Sequence, residues 1–369
     1  MNLYIHQLSD WPRFRWDDTT LLPRLADVRH RQGRLLGRME GLGFSLRSEA
    51  LLNTLTLDVL KSSEIEGEVL NVEQVRSSIA RRLGMEIGGL VASDRHVEGV
   101  VEMMLDATQN FDKPLAPERL CGWHAALFPT GYSGMSRITV GSWRNDAGGP
   151  MQVVSGPLGH ERVHYQAPAA TRLETEMPTF LDWFNEDVGM DLVLKAALAH
   201  LWFVTLHPFE DGNGRIARAL ADMTLARADG TEQRFYSMSA QIRQERKVYY
   251  DVLEQTQKGD LDVTTWLAWF LDCLGRALAG TEAQLETVFR KARFWENSTT
   301  VGLNERQRLI LNKLIDGFEG KLTTSKWAKI AKCSQDTALR DIQDLLGRGL
   351  LSKDASGGRS TNYLLTDLN

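Results

Sequence analysis

Apolar residues recur at spacings of three and four through most of this chain, and one glycine-dense stretch, residues 130–168, breaks the rhythm. That periodicity predicts a mainly α-helical protein with a local exception. In the N-terminal third Leu21, Leu22, Leu25, Val28, Leu35, Leu36 and Met39 mark one amphipathic face, and residues 48–60 repeat the pattern. Gly67 can then supply the left-handed residue that ends a helix, and Asn71, with Gln74 three residues on, reads as the cap of the next. Helical spacing returns over 171–185, 192–206, 215–227, 240–258 and 263–296.

In the exception, Gly131, Gly134, Gly141, Gly148, Gly149, Gly156 and Gly159 separate β-prone pieces at 137–140, 152–155 and 163–165. A loop carrying a small hairpin is expected there. After a polar stretch at 297–302, residues 303–316, 324–331 and 334–348 read as three helices, followed by a hairpin tipped by Gly357, Gly358 and Arg359. That order suggests a winged helix-turn-helix.

A length of 369 residues suits two or three domains, and 43% hydrophobic with 25% charged residues excludes disordered, collagen-like and low-complexity chains. The net charge of -5 does not advertise a polyanionic partner, yet residues 303–369 hold 11 Lys and Arg against 8 Asp and Glu. Ser334, Gln335, Thr337 and Arg340 fall where a recognition helix contacts bases, whereas Asp336, Asp341 and Asp344 would repel a phosphate backbone. DNA binding and protein docking both stay open for this domain. Cys121, Cys273 and Cys333 form no CxxC pair, which argues for buried thiols in a reducing compartment rather than disulfides or a zinc site. The N-terminus lacks a basic segment leading into an apolar one, and the most apolar stretch, 196–206, is too short to span a bilayer. A cytoplasmic protein without a membrane partner is expected.

The densest cluster of reactive residues is His207-Pro208-Phe209-Glu210-Asp211-Gly212-Asn213-Gly214-Arg215-Ile216-Ala217-Arg218. Pro208 ends the preceding helix, while Gly212 and Gly214 let the backbone turn and expose its N–H groups at the start of the next one. Such a helix N-terminus holds anions, phosphate above all. Asp211 is a hard oxygen ligand suited to Mg²⁺, Asn213 can donate to a phosphate oxygen, and Arg215 and Arg218 are forked cationic donors. His207 can accept a proton near neutral pH. These are parts for phosphoryl or nucleotidyl transfer.

Residues 207–218 match the HxFx(D/E)GNGRxxR signature at every specified position, so the chain resembles Fic-domain proteins over residues 92–276. The resemblance implies a Fic helical bundle with a β-hairpin flap and transfer of AMP from ATP, with Mg²⁺, to a Ser, Thr or Tyr hydroxyl of a target protein. It casts His207 as general base, Asp211 as Mg²⁺ ligand, Asn213 and Arg215 as contacts to the α- and β-phosphates, and Arg218 as the γ-phosphate clamp. The rest of the loop, Gly212, Gly214, Ile216 and Ala217, belongs to the same ATP-binding stretch. Met151 to Gly156, with Val153, Val154 and Ser155, stand in the place of the flap, where main-chain hydrogen bonds can hold a target segment. Tyr249 and Tyr250, followed by Leu253 and Gln257, look like the adenine side of the pocket.

Ser62 to Gly67 fits the family's (S/T)xxxE(G/N) inhibitory motif, with Ser62, Glu66 and Gly67 in place. The resemblance implies that Glu66 pairs with Arg218 and removes the γ-phosphate clamp. The expected domains are a helical extension with the inhibitory motif (1–91), a Fic core (92–296) and a winged helix (303–369). A homodimer and a DNA or protein partner of the winged helix complete the expected partners. Two other readings stay open: removal of AMP, with Glu66 orienting a water, and a DNA-binding regulator whose Fic core senses nucleotide.

Overall fold

A computed structural model of the chain describes residues 4–85, 89–157, 160–187, 189–298, 302–315, 318, 320–354 and 361–366. The chain divides into two compact units, Met1–Gly41 with Arg47–Thr281, and Leu42–Leu46 with Glu282–Asn369.

The first unit holds α1 (Asp18–Glu40), α2 (Phe44–Ile65, from Arg47 on), α3 (Val72–Arg82), α4 (Arg95–Gln109) and α5 (Pro117–Leu127). Two hairpins follow, β1 (Tyr132–Ser133) with β2 (Ser136–Arg137), and β3 (Gln152–Ser155) with β4 (Arg162–Gln166). Then come α6 (Leu173–Asn185), α7 (Leu192–Leu206), α8 (Asn213–Asp229), α9 (Met238–Gln244), α10 (Arg246–Gln257) and α11 (Thr264–Ser298, up to Thr281 in this unit). The helices begin where side chains satisfy free backbone donors: Asp17 accepts from Thr19 N–H at 2.9 Å, and Asn71 accepts from Gln74 N–H at 3.0 Å. Gly67, at φ 88°, lies just beyond α2.

Helices α7 and α8 pack on each other more than any other pair of elements and form the centre. From Val193 to Leu206 every residue of α7 is buried, as a helix apolar on nearly every side requires. Phe180, Phe184, Trp202 and Phe203 pack edge to face or tilted between α6 and α7.

Three local readings change. Residues 240–258 form two helices, because the chain breaks at Glu245, whose carboxylate takes both Arg276 nitrogens at 2.6 Å. The glycine-rich stretch carries two hairpins, and residues 138–140 stay out of them: Thr139 Oγ1 donates to Glu210 at 2.7 Å instead. Helix α5 also escapes the periodicity reading, its amphipathic face being short.

In the second unit, α12 (Glu305–Ile315), α13 (Thr324–Ile330) and α14 (Gln335–Gly347) precede the antiparallel strands β5 (Leu351–Lys353) and β6 (Tyr363–Leu365). Ile310, Leu311, Trp327, Ile342 and Leu345 form its core. Asp341 and Asp344, expected to repel a phosphate backbone, are already paired: Arg306 grips Asp341 at 2.8 and 3.0 Å, and Arg348 meets Asp344 at 2.8 Å. The hairpin tip at Gly357, Gly358 and Arg359 lies outside the described residues. Among the described residues, no helix is long and apolar enough to cross a membrane.

Candidate active site

Helix α7 ends at His207, which adopts φ 50° and ψ 56°, a left-handed conformation that turns the chain abruptly into Pro208. Its Nδ1 lies 3.1 Å from the Val204 carbonyl and must be the protonated nitrogen there, which leaves Nε2 as a free acceptor. Burial, against that bond, pushes the imidazole pKa down to about 4; Arg144 lowers it further, and Asp211 and Glu66 pull upward. His207 is therefore neutral at pH 7.

The turn is held from behind by Arg144, on the loop before β3. Its Nε donates to the His207 carbonyl at 2.7 Å and its backbone N–H to the Pro208 carbonyl at 2.8 Å. Its remaining nitrogens reach Asp146 at 2.7 Å and the Pro168 carbonyl at 2.5 Å. Asn213 braces the loop from within, accepting from Phe209 N–H at 3.0 Å and donating to the Phe209 carbonyl at 2.8 Å. In this arrangement both polar atoms of the Asn213 amide serve the loop backbone. Asp211 is oriented by Gly212 N–H at 2.5 Å and by the Ser133 hydroxyl at the end of β1.

Gly212, at φ 80°, caps α8, and the helix's first two turns carry the two arginines inward. Arg218 is 2% exposed; its Nε donates to Ser62 Oγ at 3.0 Å, and its Nη2 reaches the Ser62 carbonyl at 2.9 Å and Glu66 Oε1 at 2.8 Å. Arg215, 1% exposed, lies over the Phe128 ring and reaches Glu68 Oε2 at 2.6 Å. Gly214 lets the Glu66 carboxylate approach the helix backbone: a Cβ there would stand 2.4 Å from Glu66 Oε1 and push that side chain aside. Ile216 and Ala217 are buried in the helix packing.

A cleft of about 610 Å³ gathers eleven of the expected residues on its walls: Glu66, Val153, Val154, Ser155, His207, Asp211, Asn213, Gly214, Tyr249, Tyr250 and Gln257. Ser62, Gly67, Gly156, Gly212, Arg215, Ile216, Ala217 and Arg218 do not line it. Tyr249 is buried with its hydroxyl 2.9 Å from His200 Nε2, and Gln257 donates to Thr205 Oγ1 at 3.3 Å. Sequence reasoning missed Arg144, Ser133, Glu68, His164, Arg246 and Glu254. Arg246 donates to the Ile65 carbonyl at 2.7 Å, and Glu254 on α10 accepts from His164 at 2.6 Å and Arg162 at 3.1 Å, tying down the β3–β4 flap. Only Glu68, two residues from Glu66, carried a local signal.

Residues 114–225 match the Fic/DOC family, and residues 4–85 match a domain of unknown function, DUF4172. Protein adenylyltransferase Fic of Drosophila willistoni is 34% identical over 113 residues, which is 30% of this chain and 21% of that protein. Its counterpart in Aedes aegypti is 27% identical over 231 residues, 60% of this chain and 40% of that protein. The chain thus matches well under half the length of these curated relatives. A Fic family protein from Desulfovibrio desulfuricans G20 superposes with a TM-score of 0.56 at 20% identity, covering 95% of this chain and 97% of that one. A Fic domain containing signaling protein from Bacteroides thetaiotaomicron gives 0.50 at 20% identity, covering 71% and 95%. The chain contains a Fic domain, homologous to Fic protein adenylyltransferases, and has the mainly helical fold of its Fic structural neighbours.

Proposed function

We propose that this chain is a protein adenylyltransferase that moves AMP from ATP to a Ser, Thr or Tyr hydroxyl of a target protein, and that Glu66 holds this activity low. The observation that carries the reading is the convergence on one cleft of a neutral His207 with a free Nε2, the Asp211 carboxylate and the N-terminus of a helix backed by two buried arginines. Arg215 Nε is buried without a hydrogen-bond partner among the described residues, a cationic donor suited to a phosphate oxygen.

The oriented Asp211 carboxylate fits Mg²⁺, which takes one or two carboxylates and completes its shell with phosphate and water. Bound at Asp211, Mg²⁺ would neutralise charge on the phosphates. The target segment lies along β3, which pairs only with β4 among the described residues and so offers a free edge for main-chain hydrogen bonds. His207 Nε2 takes the proton of the target hydroxyl, and that oxygen forms a bond to the α-phosphorus. The bond from the α-phosphorus to its bridging oxygen breaks, and pyrophosphate leaves with the electron pair. Glu66 opposes this by occupying Arg218 at 2.8 Å, where the γ-phosphate would otherwise find its cation.

Labelled ATP tests the reading. Glu66→Gly should raise AMP incorporation by about tenfold or more, the effect of freeing one charge-assisted donor. Adding His207→Ala should abolish the gain, and mass spectrometry should map the added AMP to a hydroxyl. Equal labelling by the double and single variants would overturn the base assignment. Release of AMP from a modified target by the unmutated chain, lost on Glu66→Gly, would instead favour AMP removal.

A further inference from the structure

Two carboxylates, not one, sit on the arginines of the first turns of α8. Beyond the pair of Glu66 with Arg218, Glu68 Oε2 lies 2.6 Å from Arg215 Nη1 and 3.2 Å from Nε2 of His96, in the first turn of α4. The second contact is built on unlike partners. Arg215 is 1% exposed and fixed over the Phe128 ring, whereas the Glu68 side chain is 36% exposed in the turn between α2 and α3. A guanidinium so placed cannot follow its partner outward; Glu68 is the member free to leave. Although burial opposes it, His96 and Arg215 hold the Glu68 carboxyl below the usual carboxylate range, and Glu68 raises His96 in return. Both shifts record attraction across the same three groups.

We propose that Glu68 is a second latch on the nucleotide site, occupying Arg215 independently of Glu66 on Arg218 and anchored to α4 through His96. The inference rests on the nucleotide-transfer reading above and adds to it a second carboxylate that phosphate oxygens have to displace. Arg215 and Arg218 point to different partners, so removal of Glu66 frees only one of them. A chain lacking Glu66 alone therefore remains partly closed to nucleotide.

The test measures the dissociation constant of Mg-ATP, and separately of inorganic pyrophosphate, by calorimetry on the full chain, with AMP transfer recorded in parallel. The variants are Glu66→Gly, Glu68→Gln and the double change. Glutamine keeps the size of the side chain and an acceptor for His96 but removes the charge facing Arg215. Glu68→Gln should tighten Mg-ATP by roughly two- to fivefold in both backgrounds, the range of a partly exposed ion pair. His96→Gln, which leaves Glu68 in place but loosens its anchor, should give a smaller shift of the same sign, and thermal melting checks that each variant is folded. An unchanged dissociation constant on adding Glu68→Gln to Glu66→Gly overturns the latch even where transfer is rapid. Tighter binding without transfer by any variant upholds the latch and sinks the transfer reading. Absence of binding to either probe in every variant overturns both.

Discussion

The carbonyls of His207, Pro208 and Pro168 all accept from Arg144, so one buried guanidinium and its own backbone N–H decide where the His207 turn stands. The work depends on a planar fork: Nε, Nη1 and Nη2 serve three different partners at once. Lysine has its donors at one point and cannot span them. Arg144→Lys should therefore cost about 2–4 kcal/mol of folding stability, because buried acceptors lose their partners. In a Glu66→Gly background it should lower kcat for AMP transfer more than it raises KM for ATP, since the shifted group is His207, the proton acceptor of the proposed reaction, rather than the proposed phosphate site. Urea unfolding and steady-state kinetics check both, and a lysine variant as active and stable as the parent would show that the fork is not used. Arg144 was not legible in the chain because its partners are mostly backbone carbonyls more than twenty residues away, which leave no pattern of residue types. His207, Asp211 and the two arginines were legible, being packed into twelve consecutive positions whose chemistry is their own.

Between β4 and α10 the flap is held by Glu254, which accepts from His164 at 2.6 Å, Arg162 at 3.1 Å and Lys258 at 2.6 Å. His164 passes the contact on to Ser155 of β3 at 2.6 Å, so both strands of the hairpin depend on one carboxylate. Burial opposes ionisation of Glu254, but Lys258 and His164 hold its pKa down to about 2, and it stays charged across the working range. Glu254→Gln should loosen the hairpin without disturbing the α7–α8 core. Hydrogen exchange at the amides of β3 and β4 should speed up by roughly three- to tenfold while core amides keep their rates. Equal acceleration in core and flap would mean that Glu254 supports the whole unit instead. The elements themselves were uneven in legibility for the same physical reason. Helix α7 reads plainly because its apolar run has no alternative to burial, whereas the break between α9 and α10 is set by Glu245 turning to Arg276, thirty-one residues on. The hairpin at β1–β2 was missed because its short strands are polar and exposed, and the tug of Glu210 on Thr139 ended the β-prone run beside it.

Within the first unit, His124, His200 and His207 give folding a definite dependence on pH. Burial pushes His200 down to about 3 and His124 and His207 down to about 4. His200 is spent on the Tyr249 hydroxyl at 2.9 Å, and His124 stacks on Phe209 at 4.2 Å, so none of these rings can take a second proton without losing its setting. Each folded-state pKa lies below the unfolded value near 6.5, so the unfolded chain binds the extra protons first. The contribution is fully present above pH 6.5 and is lost as pH falls through the folded values near 3 to 4. Asp222, facing Asp58 and Arg234 from α8, runs the other way: burial and Asp58 push it up to about 8, so its contribution is lost as pH rises through 8. Three groups against one give a net loss of stability on acidification below 6.5, at about 1.4 kcal/mol per pH unit for each net proton taken up. Melting temperature should therefore peak near pH 6.5, fall steeply toward pH 4 and decline gently toward pH 9. His200→Phe, which keeps an aromatic ring of similar size, should shallow the acid limb and leave the alkaline limb as it was; an acid limb of unchanged slope would place the titrating groups elsewhere.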